Sequence, residues 1–99
     1  MFANGPFGTT SGKGLIVKTG DTYRLRLEQF MVNSGPDLKV YISREKQPLN
    51  FIRLGNLKAL TGDQEYEIPG TPDFSDYRFL LIHCEKFNHL FGSGELMVK

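Results

Sequence analysis

The sequence has one cysteine, no excess of either charge and no long apolar run, and each scarcity bears on the class of protein. One cysteine cannot form a disulfide within the chain, so cysteine content neither indicates nor excludes an oxidising compartment. The twelve basic and eleven acidic residues are interspersed, which argues against nucleic acid or an anionic membrane as the partner. Apolar runs such as residues 79–82 are far shorter than the roughly 20 residues of a membrane-spanning helix, so we expect no membrane span.

The length and the first residues bear on domain organisation and on export. Ninety-nine residues are enough for one hydrophobic core and too few for two, so we predict a single domain over residues 1–99. Residues 1–8 lack a basic stretch followed by an apolar one. If the natural protein is exported, we therefore expect its export signal to lie outside this sequence; the sequence does not predict whether a lipid anchor precedes residue 1.

Short strands dominate the sequence pattern. Eleven glycines and five prolines separate segments rich in branched and aromatic residues, and a helical period is almost absent. The pattern predicts strands at residues 13–18, 23–30, 38–43, 51–54, 64–68, 79–84, 87–91 and 95–98. We therefore predict an all-β domain, an antiparallel β-sandwich or partly closed barrel of about seven to nine short strands.

Three of these strands allow more specific predictions. Gly35, Pro36 and Asp37 form a turn signal, which predicts that residues 23–30 and 38–43 pair as a hairpin. Residues 79–84 are nearly continuous in apolar character. This is typical of a strand that is buried on both faces and lies near the middle of the fold.

The stretch "RFLLIHCEKFNHLFG", residues 78–92, holds the single cysteine and both histidines. In outline, the order Cys84, His89 and Met97 resembles the ligand loop of a blue-copper protein, which needs a second imidazole. His83 cannot readily supply it, because adjacent residues of a strand point to opposite faces. Three ligands in this geometry also fall short of a closed zinc site. We predict no metal and no cofactor, with His83 on the wetter face of its strand.

Cys84 has two interpretations. It is a small apolar side chain at the end of a buried strand, or it is a redox thiol that forms a sulfenic acid or a bond to another molecule. If the strand continues, Lys86 lies on the same face and lowers the thiol pKa. Slow alkylation of Cys84 would count against an activated thiol.

The chain also resembles a known family along most of its length. The motifs that carry the resemblance are, in order, a Phe-Gly start at residues 7–8, "GKGLIV", "YRLRLEQF", "GPDLKVYIS", "LGNLKALTGDQEYEIP" and "LLIHCEKFNHLFGSGEL". Over residues 7–98 they resemble the DM-thirteen domain, which occurs beside DOMON domains in animal surface proteins and in bacterial exported proteins.

The resemblance implies a β-sandwich that is extracytoplasmic, meaning periplasmic, secreted or surface-anchored, and that takes part in electron transfer. The family's suspected redox cysteine corresponds to Cys84. His83 stands where the family typically has tryptophan. In this chain Cys84 therefore has a titratable neighbour in place of a large aromatic one. Because no DOMON or haem-carrying domain is attached, we expect the redox partner to be a protein on another polypeptide.

A second function stays open at this point. A rigid β domain could instead be a non-catalytic binding module that presents loops such as residues 68–78 to a protein or a carbohydrate. Exposed rings of Phe74 and Tyr77 would favour that function. No acid-base pair with a plausible geometry stands out, so hydrolytic or transferase activity is not expected. The sequence does not predict the oligomeric state.

Overall fold

The computed structural model describes residues 2–4 and 10–98, and these residues form eight strands joined by turns and loops. The strands are β1 (Phe2–Asn4), β2 (Thr10–Thr19), β3 (Thr22–Val32), β4 (Leu38–Ser43), β5 (Phe51–Asn56), β6 (Gln64–Ile68), β7 (Phe79–Cys84) and β8 (His89–Val98). The described residues contain no helix, and so none that could span a membrane. The Phe-Gly start at residues 7–8 lies outside the described residues.

The strands form one curved sheet in the order β5-β4-β7-β8-β2-β3-β6, with β1 added to β8. Neighbouring strands are antiparallel except β2 and β8, which run parallel. The two edge strands β5 and β6 approach each other. Just after β5, the backbone N–H of Lys58 donates to the hydroxyl of Tyr66 in β6 at 2.8 Å. The sheet is thus nearly closed into a barrel, as the all-β prediction stated.

Alternating side chains of the strands fill the interior of the barrel. The enclosed members of this core are Ile16, Leu25, Leu27, Phe30, Val40, Ile42, Leu80, Ile82 and Cys84. Full burial of one such large apolar side chain contributes about 1.5–3 kcal/mol. All six residues of β7 are buried, as are all six of β4. The prediction of a central strand buried on both faces is therefore confirmed for residues 79–84.

The predicted hairpin of β3 and β4 is wrong. β3 pairs with β2 and β6, whereas β4 pairs with β5 and β7. The residues between them carry the chain from one half of the sheet to the other. Gly35 in this connection packs closely on Phe91, because a Cβ at position 35 would lie 2.9 Å from the ring of Phe91. Turn residues predict a change of direction, but they do not decide which strand becomes the neighbour.

β8 is one strand where the sequence predicted two short ones. Glycines at its middle do not interrupt pairing with β7, because Gly92 and Gly94 oppose Ile82 and Leu80. Gly92 is required by close packing, since a Cβ there would lie 2.4 Å from Oγ1 of Thr10. The register shifts between Ile82 and His83, so one bulge lies beside the residues of chemical interest.

Candidate functional site

The end of β7 places the two most reactive side chains of the chain on opposite faces of the sheet. Cys84 belongs to the core cluster and is 0% exposed. His83 lies on the other face and is 4% exposed. The prediction that the two side chains point to opposite faces is confirmed, because the His83 ring lies 5.7 Å from that of Tyr41, which is outside the core cluster that contains Cys84. The prediction of a wetter face for His83 is wrong, because the side chain is buried.

Cys84 is enclosed by neighbouring strands. Leu38 of β4 and His89 of β8 lie opposite it in the two registers. The strand does not continue to Lys86, as the expected influence of Lys86 on the thiol required, because β7 ends at Cys84. Lys86 lies exposed in the following turn with its ammonium over the ring of Phe87 at 5.6 Å. The structure therefore places Cys84 in the core cluster, with His89 rather than Lys86 as the nearest titratable residue in the strand register.

His83 is held by the turn that follows it. Its Nε2 lies 2.9 Å from Oδ1 of Asn88, and Asn88 has a positive φ of 53°, a conformation that asparagine tolerates better than most residues. Nδ1 of His83 is buried and has no hydrogen-bond partner among the described residues. The imidazole thus forms one defined contact and leaves one nitrogen unsatisfied.

A cluster of Tyr41, Phe51, Arg53 and Glu85 lies next to His83 on the same face, and we call it the tyrosine cluster. The Tyr41 hydroxyl donates to a carboxylate oxygen of Glu85. Arg53 donates to both oxygens of that carboxylate, at 2.9 and 3.3 Å. The Tyr41 ring stacks on Phe51, with centroids 4.2 Å apart, and its centroid lies 5.7 Å from that of His83.

The protonation states within the tyrosine cluster follow from these contacts. Burial and the hydrogen bond to Glu85 raise the pKa of Tyr41 well above its ordinary value. The hydrogen bonds from Arg53 and Tyr41 lower the pKa of Glu85. At neutral pH the phenol keeps its proton, and a carboxylate base lies at the other end of the same hydrogen bond.

A surface cavity of about 430 Å³ opens beside this face, lined by residues 35–39 and 56–60. Lys39 is only 9% exposed and lies opposite His83 in the register of β4 and β7. Its ammonium is already engaged, with Asp37 at 2.7 Å and with the side chain of Asn56. Cys84 is not part of the lining, so the cavity does not give access to the thiol.

Cys84, His89 and Met97, whose order resembles a copper ligand loop, do not come together in the structure. His89 opposes Cys84, but Met97 is eight positions further along the extended β8, roughly 26 Å at the rise of a strand. In the part of the chain that the structure describes, no group of three or more histidine, cysteine or acidic side chains is arranged to hold a metal ion.

The loop after β6 contains the aromatics on which a binding module would depend. Phe74 packs edge-on against Tyr23, with centroids 5.0 Å apart, and the guanidinium of Arg44 covers the ring of Tyr77 at 5.1 Å. Asp73 accepts from the backbone N–H and hydroxyl of Ser75 at 2.9 and 2.6 Å, which makes it a turn former. Both rings are therefore engaged within the domain.

Sequence patterns did not reveal the tyrosine cluster. Tyr41 and Glu85 are 44 positions apart, and Arg53 and Glu85 are 32 apart. Period-two alternation assigns Tyr41 to one face of β4, but it does not reveal which acid or base of another strand lies beside it. The continuous apolar character of β7 was the only signal that this face is buried.

Comparison with known families adds the functional context. The family described as "Electron transfer DM13" matches residues 2–96. The chain belongs to the DM13 family. The DM-thirteen resemblance is thereby confirmed over nearly the whole chain, and the family description makes this DM13 domain an electron-transfer-associated domain. No curated protein and no solved structure matches the chain.

Proposed function

We propose that this DM13 domain is an extracytoplasmic accessory domain of an electron-transfer system, with its redox partner on another polypeptide and Cys84 as its redox thiol. The family membership carries the proposal. Cys84 is the one cysteine of the chain, and it ends the strand that lies between β4 and β8.

Burial limits how the thiol reacts. In a mixed-disulfide route, the Cys84 thiolate attacks a disulfide of the partner, one partner sulfur leaves as a thiolate, and the Cys84 proton passes to solvent or to that sulfur. At 0% exposure, no partner disulfide reaches the sulfur in the closed domain. The reaction therefore requires the turn of residues 85–88, which follows Cys84 directly, to open.

The experiment measures how fast an aromatic disulfide reagent modifies Cys84 in the folded domain, as a function of pH and of urea. If only global unfolding exposes the thiol, a stability of about 5–15 kcal/mol slows the reaction by more than about a thousandfold relative to the unfolded chain. Local opening of the turn predicts a much smaller retardation, with a urea dependence well below that of global unfolding.

A matched control supplies the rate for an exposed thiol on the same turn. The double variant Cys84→Ala with Lys86→Cys places the thiol two residues later, at a position that is exposed. We expect it to react at the rate of an unfolded cysteine. If Cys84 instead reacts only with the full urea dependence of global unfolding, the assignment of a redox thiol is refuted.

The binding-module alternative gains no support from the loop of residues 68–78. Phe74 and Tyr77 are the aromatics that would recognise a protein or a carbohydrate, and each already contacts a side chain of the domain. Recognition through stacked rings requires a free ring face. We therefore do not propose this second function.

A further inference from the structure

We propose that Tyr41 is a second redox-active residue of the domain, which transfers one electron to a metal centre of the partner while its phenolic proton moves to Glu85. The inference deepens the proposed electron-transfer function and rests on it. It does not require Cys84 to react.

The composition narrows the choice of an oxidisable group. The chain has no tryptophan, one cysteine and four tyrosines. Cys84 is enclosed in the core at 0% exposure, so tyrosines are the main alternative as the oxidisable group. Among the described residues, Tyr41 is the tyrosine whose hydroxyl donates to a carboxylate.

The contacts of Tyr41 supply what a one-electron step needs. Loss of an electron makes the phenol a strong acid, and the carboxylate of Glu85 accepts the proton along the existing hydrogen bond. The products are a neutral tyrosyl radical and a protonated Glu85. Reduction by one electron returns the proton to Tyr41, so electrons and protons balance in both directions.

The surroundings keep this step reversible and connect it to the surface. Arg53 fixes the orientation of Glu85 through two hydrogen bonds. Tyr41 is 2% exposed, which shields the radical from solvent, whereas Phe51 stacks on it and is 39% exposed. Phe51 is thus the ring through which a docked partner approaches Tyr41.

Tyr66 provides a matched control on the same fold. It is also buried, at 3% exposure, but its hydroxyl donates to the side-chain oxygen of Gln64 and accepts from the backbone N–H of Lys58. A neutral amide does not take up the phenolic proton. Tyr41 and Tyr66 are therefore similar in burial, and they differ in the group that accepts a hydrogen bond from the hydroxyl, a carboxylate for Tyr41 and an amide oxygen for Tyr66.

The test oxidises the full chain with photogenerated tris(bipyridine)ruthenium(III) and follows the tyrosyl radical by transient absorption and freeze-quench electron paramagnetic resonance. We expect Tyr66→Phe to match the unmodified protein and Tyr41→Phe to lose most of the signal. Glu85→Gln, which keeps the shape but not the base, should slow radical formation about tenfold or more, and deuterated solvent should slow it in the unmodified protein and in Tyr66→Phe.

The results distinguish this inference from the role of Cys84. If the Tyr41 signal persists in Cys84→Ala, the inference stands whatever the thiol experiment shows. If Tyr41→Phe and Tyr66→Phe give the same radical yield, or Glu85→Gln reacts as fast as the unmodified protein, the inference is overturned. Circular dichroism spectra that match the unmodified protein show that each variant is folded, so a lost signal reports on chemistry.

Discussion

Replacing Cys84 by serine should destabilise the domain more than replacing it by alanine. Cys84 is 0% exposed and packs in the apolar core, so a serine hydroxyl there is desolvated among hydrocarbon side chains. An unpaired buried hydroxyl costs about 1–3 kcal/mol, and removal of the sulfur costs about 1 kcal/mol more. We expect a loss of about 2–4 kcal/mol for Cys84→Ser against about 1–2 kcal/mol for Cys84→Ala.

Urea unfolding followed by far-ultraviolet circular dichroism measures both free energies of unfolding. A domain of this size has a stability of about 5–15 kcal/mol, so the serine variant should remain folded with a clearly lower midpoint and an unchanged slope. Equal stability of the serine variant and the unmodified protein would refute the argument, because it would mean that position 84 offers the hydroxyl a partner or water. Cys84→Ala is consequently the better variant for redox experiments.

Two further predictions test the packing and the electrostatics. Gly92→Ala should lower the free energy of unfolding by about 1–3 kcal/mol, because the added Cβ would lie 2.4 Å from Oγ1 of Thr10; urea unfolding measures this, and no loss would contradict the packing of β8 on β2. Tyr41 has a raised pKa in the folded state, so its contribution to stability is complete below the unfolded value of about 10 and is lost as the pH rises through the folded value. Between about pH 9 and 11, the unmodified protein should therefore lose more stability than Tyr41→Phe, and parallel pH profiles would contradict this.

The sequence allowed the prediction of strands whose burial leaves a strong pattern. The predicted bounds of residues 38–43, 64–68 and 79–84 agree with β4, β6 and β7. The pairing of β3 with β4 was predicted wrongly, because period-two alternation defines the faces of a strand but not its neighbours. In this fold one neighbour of β4 is β5 and the other comes from residues 79–84, and only the burial of β4 and β7 reflects their long-range pairing.

Only part of the candidate site could be predicted from the sequence. That His83 and Cys84 point to opposite faces follows from strand geometry. The burial of His83 does not, because a histidine is compatible with either a wet or a covered face. The tyrosine cluster depends on the pairing of β4 with both β5 and β7. This pairing places Tyr41 opposite Arg53, and it brings Glu85, the residue after β7, within hydrogen-bond distance of the Tyr41 hydroxyl. No local pattern encodes that arrangement.

The two proposals assign a different electron route to each face of β7. On the inner face, the thiol of Cys84 forms a bond with a partner only after the turn of residues 85–88 opens, so its rate depends on a conformational step. On the outer face, Tyr41 needs no opening, because its proton acceptor is already in place and Phe51 extends to the surface. The same turn carries Glu85, whose backbone N–H donates to Asp37 at 3.0 Å. The two proposals together therefore predict that opening of this turn also displaces Glu85 from Tyr41, so that the two routes do not operate at the same time in one domain.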